Sequence, residues 1–426
     1  MYLLRFLFWG CVTVSVLGVA CSADVTVTGD GGRLDRGLSD SADAGETCLD
    51  GKKNQDETDT DCGGAICASC LEGKACTVDS DCTSQACVGN ICRLCKDQAG
   101  SCLGNLVRVC NSDQASWTTV ATCDPVAGEV CNAVTQTCDP IKPIGSADAT
   151  GTYYLYTMFT KGSSEFKGGY DVDSFVSGVG DSEENLIYVN RSNELDVYKV
   201  ELIDSDQDGK LEPNQHPDNV DATGPIEGRK LTFVKTYTSV KLGQPSRGEI
   251  YAESDRIYFL SADTSNTSNI YEFIFQSETT NLLVAGNPKI PLAVLGFDPL
   301  SKRWYGGWNS TTRRVYGYYA DGGGWAAEFD YPNLAGTHMD GLEVVIDPKT
   351  KTSYLYVSDM TSDFLAQYYQ DASGAWVQKN VFKYMETASQ AVEGMGFGAF
   401  QHFWITSGNA LYEVGGGDLQ KFVGPD

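Results

Sequence analysis

The sequence predicts a mainly β protein in which small disulfide-rich units precede a five- or six-bladed β-propeller. Two observations predict it. Fourteen cysteines lie between Cys48 and Cys138 with none after them, and aromatic strand patterns repeat through the rest of the chain. No stretch shows a long apolar pattern of 3.6-residue period, so helices should be few. An array of β-sandwiches is the alternative fold.

The chain begins with MYLLRFLFWGCVTVSVLGVAC, in which one early arginine is followed by an apolar run ending in small residues. This pattern is typical of a secretory signal and is too short for a membrane-spanning helix. The residues LGVAC resemble a bacterial lipobox, with Gly18 where the leucine is usual. The resemblance implies that Cys21 carries a lipid anchor, with plain secretion as the alternative. The predicted location is the bacterial cell envelope, at the outer membrane or cell surface.

Composition divides the chain into four segments. Residues 1–21 are the predicted lipoprotein signal peptide, and residues 22–47 are an acidic, Gly/Ser-rich tether with too few large apolar residues to form a core. Residues 48–140 hold the cysteine repeats, and residues 150–426 form the predicted propeller. The net charge of −26 argues against nucleic acid as a partner, because a phosphate backbone repels such a surface.

The cysteine-rich segment consists of two units, Cys48–Cys92 and Cys95–Cys138. An even number of cysteines in a short exported segment predicts a disulfide framework, whose pairing cannot be deduced. Zinc is the alternative, because two C-x-x-C pairs have ligand-like spacing, although no histidine lies among them. The motifs DG-x-x-N-x-x-ETD-x-DCGG and CxGNxVxxCN resemble cysteine-rich repeats of exported proteins from myxobacteria and their relatives. The resemblance implies a surface or secreted setting and no particular activity.

Five aromatic strand centres align in the C-terminal segment: NLIYVN, DRIYFLS, KRWYGGW, SYLYVSD and HFWITSG. Their central residues, separated by 70, 47, 51 and 48 positions, are Tyr188, Tyr258, Tyr305, Tyr356 and Trp404. Each is followed by turn residues and a second strand with a tyrosine, and a period of 45–50 residues is typical of propeller blades. The wide first interval contains Asp204–Gln215, which is therefore predicted to be an insert between blades or between strands of one blade. GTYYLYTMF at 151–159 is predicted to close the ring or to form a sixth blade.

The insert DSDQDGKLEPNQ has the oxygen spacing of a calcium loop. Counted from the first aspartate, positions 1, 3, 5, 7, 9 and 12 are Asp204, Asp206, Asp208, Lys210, Glu212 and Gln215. Lys210 would contribute its carbonyl, and Leu211 is expected to pack inward. The neutral Gln215 stands where a bidentate glutamate is usual, so Asp218 or Asp221 is expected to complete the ligands. Because a strand pattern precedes the loop, the predicted role of Ca²⁺ is structural.

Two blade openings, HMDGLEVVIDPKTKTSYLYVSD and VEGMGFGAFQHFWITSGNALYEV, share the order acid-Gly-apolar, turn, aromatic strand. Here the sequence resembles the regucalcin/gluconolactonase propellers, whose axis holds a divalent cation. The resemblance places Asp340 and Glu393 at the axis and Glu249 at the early glutamate, with His338 beside them. It implies a metal-activated water that attacks a lactone or ester. The alternative is that these acids are ordinary turn residues.

Two functional hypotheses follow. The first is a cell-envelope lipoprotein whose calcium-stabilised propeller is a binding module on a cysteine-rich stalk, with a protein or glycan ligand and the membrane as partners. The second is a divalent-metal-dependent lactonase or esterase with the candidate catalytic residues Glu249, His338, Asp340 and Glu393.

Overall fold

The structure is a computed structural model that describes residues 48–420 except 55, 178–183, 192–193, 239–248, 263–267, 288, 291, 308–312, 333–337, 361, 363 and 384–391. The predicted signal peptide, Cys21 and the tether therefore lie outside the described residues. Within the described part, the regular structure is strand with three short 3₁₀ turns, and it contains no helix of the length and hydropathy needed to span a membrane.

All fourteen cysteines of the N-terminal segment form disulfides, so the zinc alternative is wrong. The first unit contains four bridges and the second contains three, and no bridge joins the two units: Cys48–Cys67, Cys62–Cys70, Cys76–Cys87 and Cys82–Cys92; Cys95–Cys110, Cys102–Cys131 and Cys123–Cys138. Units of this size bury too little apolar surface to be stable alone, so the bridges carry much of their stability. Seven disulfides indicate an extracytoplasmic protein.

The disulfide units have little regular structure, and their acidic side chains bind backbone amides. The carboxylate of Asp81 accepts hydrogen bonds from the amides of Gly64, Thr77 and Val78. Burial opposes its ionisation, but these donors outweigh burial and lower the pKa of Asp81 to about 2. The strands are β1 Cys87–Val88, β2 Ile91–Cys92, β3 Gly100–Leu103, β4 Leu106–Cys110, β5 Trp117–Thr122, β6 Glu129–Asn132 and β7 Thr137–Pro140.

The C-terminal segment forms a β-propeller of five four-stranded antiparallel blades. Blades 1 to 3 are β9 Asp171–Ser177, β10 Glu184–Asn190, β11 Glu194–Ile203 and β12 Gly228–Thr238; β13 Ile250–Ala252, β14 Arg256–Ala262, β15 Ser268–Ile274 and β16 Thr279–Val284; and β17 Val294–Asp298, β18 Arg303–Gly307, β19 Arg314–Tyr319 and β20 Gly324–Asp330. The first strands contact one another in a ring, so they line the axis.

Blades 4 and 5 complete the ring. They are β21 Met339–Ile346, β22 Ser353–Asp359, β23 Phe364–Gln370 and β24 Trp376–Lys383; and β25 Gly394–Phe397, β26 Phe403–Thr406, β27 Ala410–Gly415 and β8 Tyr154–Thr160. Because β8 comes from the start of the propeller segment and pairs with β27, the two ends of that segment meet in one sheet. GTYYLYTMF therefore closes the ring, which was one of its two predicted roles. The propeller has five blades.

The repeat predicted from sequence coincides with the blades. The five aligned centres lie on the second strands, and the tyrosines that follow them lie on the third strands: Tyr188, Tyr258, Tyr305, Tyr356 and Trp404; Tyr198, Tyr271, Tyr316, Tyr368 and Tyr412. Most of these rings are buried between neighbouring blades, where they form the apolar core. The calcium-loop insert lies between β11 and β12, within blade 1.

The second disulfide unit packs directly on blade 3. Arg314 Nη1 donates to the carbonyl of Pro125 over 3.0 Å, and the amide of Ile144 donates to the carbonyl of Asp330 over 2.9 Å. Val130 packs against the core between blades 2 and 3. The predicted stalk therefore does not hold this unit away from the propeller.

Candidate functional site

The axis of the propeller contains buried carboxyl groups on the first strands. Asp171 and Asp173 lie on β9, Glu249 lies immediately before β13, and Glu343 lies on β21. Residues two apart on a strand point to the same side, so Asp171 and Asp173 both face the neighbouring first strands. The group combines acids from three blades, of which the sequence pattern had singled out only Glu249.

These carboxyl groups accept hydrogen bonds from the backbone of the next blades. Asp171 accepts from the amide of Ile250 over 2.6 Å, and Asp173 accepts from the amide of Ala252 over 2.5 Å. Glu249 accepts from the amides of two further blades, at Leu295 (2.5 Å) and Leu342 (2.9 Å). The first strand of a blade has one edge without a sheet partner, and its buried amides need acceptors. The four buried carboxyl groups, called the axis acids below, supply these acceptors and so connect the blades.

Burial raises the pKa of all four axis acids. It brings the pKa of Asp173 to about 8, so this group is protonated at pH 7. It also raises the pKa of Asp171, Glu249 and Glu343 well above the usual range, and the nearby carboxyl groups raise them further. Burial at the axis therefore favours the neutral form of these acids.

Blade 5 reaches the axis with glycines, because its first strand passes very close to β9. A Cβ on Gly394 would lie 2.0 Å from Asp171 Oδ1, and a Cβ on Gly396 would lie 2.4 Å from Asp173 Cα. Side chains at these positions would separate the strands. The first strand of blade 5 is therefore packed directly against that of blade 1 at the axis.

The four candidate catalytic residues divide into two groups. Glu249 is fully buried with each carboxylate oxygen on a backbone amide, as described above. His338, Asp340 and Glu393 lie at the end of the axis where the first strands begin, and His338 Nε2 is 3.2 Å from Asp340 Oδ2. Burial raises the pKa of Asp340 to about 8, and the neighbouring charge of Glu393 adds to the effect. Burial also raises the pKa of Glu393.

Among the described residues, the axis acids do not supply three ligand atoms within 4.8 Å of one another. The set outside the disulfides that does so is Asp204, Asp206 and Asp208, three of the predicted calcium ligands. Gly209 follows them with a φ of +84°, which permits the sharp turn that the loop needs. The first half of the loop therefore has the geometry expected from its sequence, and the ion itself remains a prediction.

The second half of the loop differs from the expectation. Leu211 was expected to pack inward and is 56% exposed. Gln215 Nε2 donates to Glu212 Oε2, so the side chains at positions 9 and 12 contact each other. The side chain of Asp218 is 81% exposed and lies beside His216. Lys210 Nζ is 3.3 Å from Asp208 Oδ2.

A buried ionic cluster lies where the loop meets the closing seam of the propeller. Arg229 on β12 donates to both oxygens of Glu413 on β27, over 2.8 and 2.9 Å. His402 Nδ1 is 2.7 Å from the same carboxylate, and Tyr156 of β8 stacks on the His402 ring. Burial disfavours the charge of Glu413, but hydrogen bonds from His402 and Arg229 outweigh it and lower the pKa. This cluster connects blades 1 and 5.

A cleft of about 790 Å³ lies between the second disulfide unit and blades 3 and 4. The rings of Tyr319 and Trp376 line it on the propeller side, and Asn132 and Asp139 line it on the disulfide side. Glu328, whose side chain is 6% exposed, accepts hydrogen bonds from Tyr319 OH and Trp376 Nε1, each over 2.9 Å. The two rings are therefore held in place by one buried carboxylate.

Sequence reasoning missed the residues that depend on ring closure. Asp171, Asp173, Glu343 and Glu413 look like ordinary strand acids, and Glu227 like a loop acid. A signal was present in DVDSF and GLEVVI, where acids interrupt strands that are otherwise apolar. Acids at such positions are buried unless the strand lies at an edge, and buried acids need donors.

The fold and sites together define a β-propeller protein with a disulfide-rich N-terminal part. No protein-family model matches the chain, and no curated protein matches it by sequence. Among solved structures, a streptogramin B lyase is 10% identical to this chain, and the alignment covers 62% of this chain and 97% of the lyase. A glucose dehydrogenase is also 10% identical, and its alignment covers 62% of this chain and 99% of the dehydrogenase. A member of the DUF4221 family from Bacteroides vulgatus atcc 8482 is 6% identical over 64% of this chain and 100% of its own. Their TM-scores are 0.31, 0.32 and 0.33, which are too low to carry a functional argument.

Proposed function

We propose that this protein is an exported, lipid-anchored binding protein whose calcium-stabilised propeller and second disulfide unit together form a ligand site. The observation that carries the proposal is the cleft at their junction. Its volume of about 790 Å³ lies in the range of small-molecule sites, and it is concave, unlike the flat surfaces of large protein interfaces. A lipid on Cys21 would hold this site at the cell envelope.

The ligand class that fits the cleft best is a neutral glycan. Tyr319 and Trp376 present aromatic rings, and Asn132, Asp139 and Gln370 add polar groups around them. Aromatic faces pack against the apolar face of a sugar ring while the polar groups bind its hydroxyls. The net charge of −26 disfavours an anionic ligand.

Filling the cleft should abolish glycan binding. Ala375 is exposed and lines the cleft, so Ala375→Trp would place an indole in it without removing a core contact. We expect labelled wild-type protein to bind at least one neutral oligosaccharide on an array of bacterial envelope glycans, and Ala375→Trp to bind it at least tenfold more weakly. Ala372→Trp, in the same turn but outside the cleft lining, is the matched control and should bind normally. Equal binding by all three proteins, or none by the wild type, would refute the proposal.

A hydrolytic function is the second candidate, and one observation favours it. His338 and Asp340 form a close pair at the partly exposed end of the axis, with Glu393 nearby. A carboxyl group with a pKa near 8 next to an imidazole is suited to general acid–base work. Against it, Glu249 already accepts two backbone amides, so it has the role of a strand connector.

Turnover measurements distinguish the two functions. Because Glu249 is engaged in the fold, we expect wild-type protein to hydrolyse neither aryl esters nor simple lactones above the buffer rate, with or without added Ca²⁺. Turnover that falls at least a hundredfold in Asp340→Asn would instead establish the hydrolase, since losing a general acid or base costs roughly that much. Asp148→Asn, which neutralises an exposed acid in the connection to the propeller, is the matched control and should leave any turnover unchanged.

A further inference from the structure

We propose that Glu227 completes a calcium site with the three clustered aspartates of the blade 1 loop, and that the bound ion clamps the closure of the propeller ring. This inference rests on the calcium stabilisation included in the proposed function. It adds a ligand that lies outside the loop motif and a specific role for the ion.

Glu227 is a buried carboxylate without a complete set of partners. The residue is 1% exposed and immediately precedes β12, 23 positions after the first aspartate of the loop. Its Oε2 accepts a hydrogen bond from the amide of Ser205 over 2.8 Å, which places the carboxylate against the beginning of the loop. Among the described residues, Glu227 Oε1 has no hydrogen-bond partner. The nearest guanidinium, Arg229, donates to the backbone carbonyl of Glu227 and pairs its charge with Glu413.

A second unsatisfied oxygen belongs to the aspartate cluster. Asp204 Oδ1 is buried and lacks a hydrogen-bond partner in the described part of the chain, while Asp204 Oδ2 accepts from the amide of Gly209 over 2.9 Å. Buried anionic oxygens are otherwise paired or bound to metal. A hard cation that takes oxygen from both Asp204 and Glu227 satisfies both atoms.

Calcium is the cation that suits this set. It takes six to eight oxygens, accepts carboxylates in one- or two-oxygen modes, and tolerates irregular geometry. The loop contains three aspartates within 4.8 Å of one another but no acid at position 12. Gln215 supplies a neutral amide there, and its Nε2 is engaged with Glu212. Gln215 Oε1 is also buried without a partner, so the test must separate it from Glu227.

The second half of the loop binds the closing seam. Arg229 Nη2 donates to the carbonyl of Pro213 over 2.7 Å, and Tyr156 OH of β8 donates to the carbonyl of Asn214 over 3.2 Å. His402 Nε2 is 2.9 Å from Asn214 Oδ1, and Tyr154 of β8 stacks on His216. The loop thus touches blade 1, the closing strand and blade 5.

The ion would connect the three aspartates and Glu227 to the second half of the loop, which contacts the closing seam. Glu227 is two residues before Arg229 on the same chain, so fixing its carboxylate also fixes the start of β12. The loop between the aspartates and Asn214 is then held at both ends. Because β8 is the strand that closes the ring, an ordered loop stabilises the joint between the two ends of the propeller.

Calorimetric titration of the full chain with CaCl₂ tests the ligand. We expect wild-type protein, stripped of metal by chelation, to bind one Ca²⁺ with a Kd between about 10⁻⁶ and 10⁻³ M. Asp206→Ala should abolish binding, and Glu227→Gln should weaken it at least tenfold. Gln215→Ala tests the rival ligand at position 12 and should change the Kd less than threefold if Glu227 is the ligand. Glu227→Asp, which keeps the charge on a shorter side chain, should give an intermediate Kd if Glu227→Gln proves poorly folded.

The outcomes are distinguishable. Wild-type protein that binds no Ca²⁺ would overturn both the calcium part of the proposed function and this inference. Wild-type binding that survives Glu227→Gln but is lost in Gln215→Ala would overturn the inference alone and return the twelfth position of the loop to its usual role. Neither result affects the glycan cleft, which is tested separately.

Hydrogen exchange followed by mass spectrometry tests the clamp. On adding Ca²⁺ to the stripped protein, we expect exchange to slow in the loop and in β8, with at least tenfold slower exchange over Tyr154–Thr160. The strands of blade 3, Val294–Asp298 and Arg303–Gly307, are the internal reference and should change little. Slowing confined to the loop, or equal in every blade, would overturn the clamp.

Discussion

Replacing Glu413 with glutamine should lower the free energy of unfolding by about 3–5 kcal/mol, the largest single-residue effect expected outside the disulfides. The carboxylate is fully buried and receives two hydrogen bonds from Arg229 and one from His402. Glutamine has a similar shape but no charge, so the Arg229 guanidinium would remain buried without its counterion. Breaking a buried pair in this way is far more destabilising than replacing the whole pair.

An ion pair near the protein surface provides the control. Arg256 and Glu272 of blade 2 are also 2.8 Å apart, but their side chains are 28% and 16% exposed. Solvent screens such a pair, and Arg256 keeps Asp255 as a second partner, so Glu272→Gln should lower the free energy of unfolding by less than about 1 kcal/mol. Both variants are measured by urea unfolding at pH 7 with the disulfides intact. Equal losses in the two variants would show that the seam cluster has no special role.

Raising the pH from 5 to 9 should lower the free energy of unfolding by several kcal/mol, because of the axis acids. Their pKa values are raised in the folded protein, and that of Asp173 is about 8 against 3.8 for the unperturbed group. The folded state therefore binds more protons than the unfolded state between these values. Stability of this origin is complete below about pH 4 and is lost as the pH rises through the folded pKa. Most carboxylate-rich proteins show the opposite trend between pH 3 and 6.

The loss of stability at acid pH has a different cause. Burial raises the pKa of Glu413, but its hydrogen bonds to His402 and Arg229 outweigh burial, so the net pKa is lowered from 4.5. The stability that this group contributes is present above its unfolded pKa and is lost as the pH falls through the folded value. The two effects together should place maximum stability at about pH 4, where the gain from Glu413 ends and the loss from the axis acids begins.

Asp173→Asn isolates the axis contribution. Asparagine resembles the protonated acid, so the variant should be within about 1 kcal/mol of wild type at pH 5 and more stable than wild type at pH 9. The measurement is urea unfolding at several pH values in excess chelator, which removes any contribution from bound calcium. Asp148→Asn, an exposed acid in the connection to the propeller, should leave the slope unchanged. A wild-type stability that rises from pH 5 to pH 9 would contradict the pKa assignments of the axis.

The blade repeat could be predicted from the sequence because it is a local pattern. Alternating aromatic and aliphatic residues around Tyr188 or Trp404 specify a strand whichever blade it joins, and their spacing gave five repeats while leaving five or six blades open. The insert at Asp204 was recognised because it lengthens one interval of that pattern, and the structure decides that it lies between two strands of blade 1. The grouping of cysteines into two units followed from their spacing, whereas their pairing required the folded chain.

The candidate site was predicted less well. The resemblance placed Glu249 at the early glutamate of such propellers, but a sequence cannot show that the amides of Leu295 and Leu342 donate to its two oxygens. The resemblance placed Asp340 and Glu393 at the axis, and in the structure both lie where the first strands begin. The three aspartates of the predicted calcium loop were recognised from their spacing, whereas Glu227, the further ligand that we propose, lies outside the motif.

The sequence by itself determined the strand repeat, the disulfide-rich segment and the grouping of the three aspartates in the blade 1 loop, because each depends on residues a few positions apart. Only the tertiary structure decided the five-bladed closure, the buried acids of the axis, the ionic cluster at the seam and the cleft. The partners in these sites come from different blades, such as Arg229 and Glu413, or from the disulfide unit and blade 4. Their proximity is a consequence of the ring closing on itself, and whether an acid is an exposed strand residue or a buried connector depends on that closure.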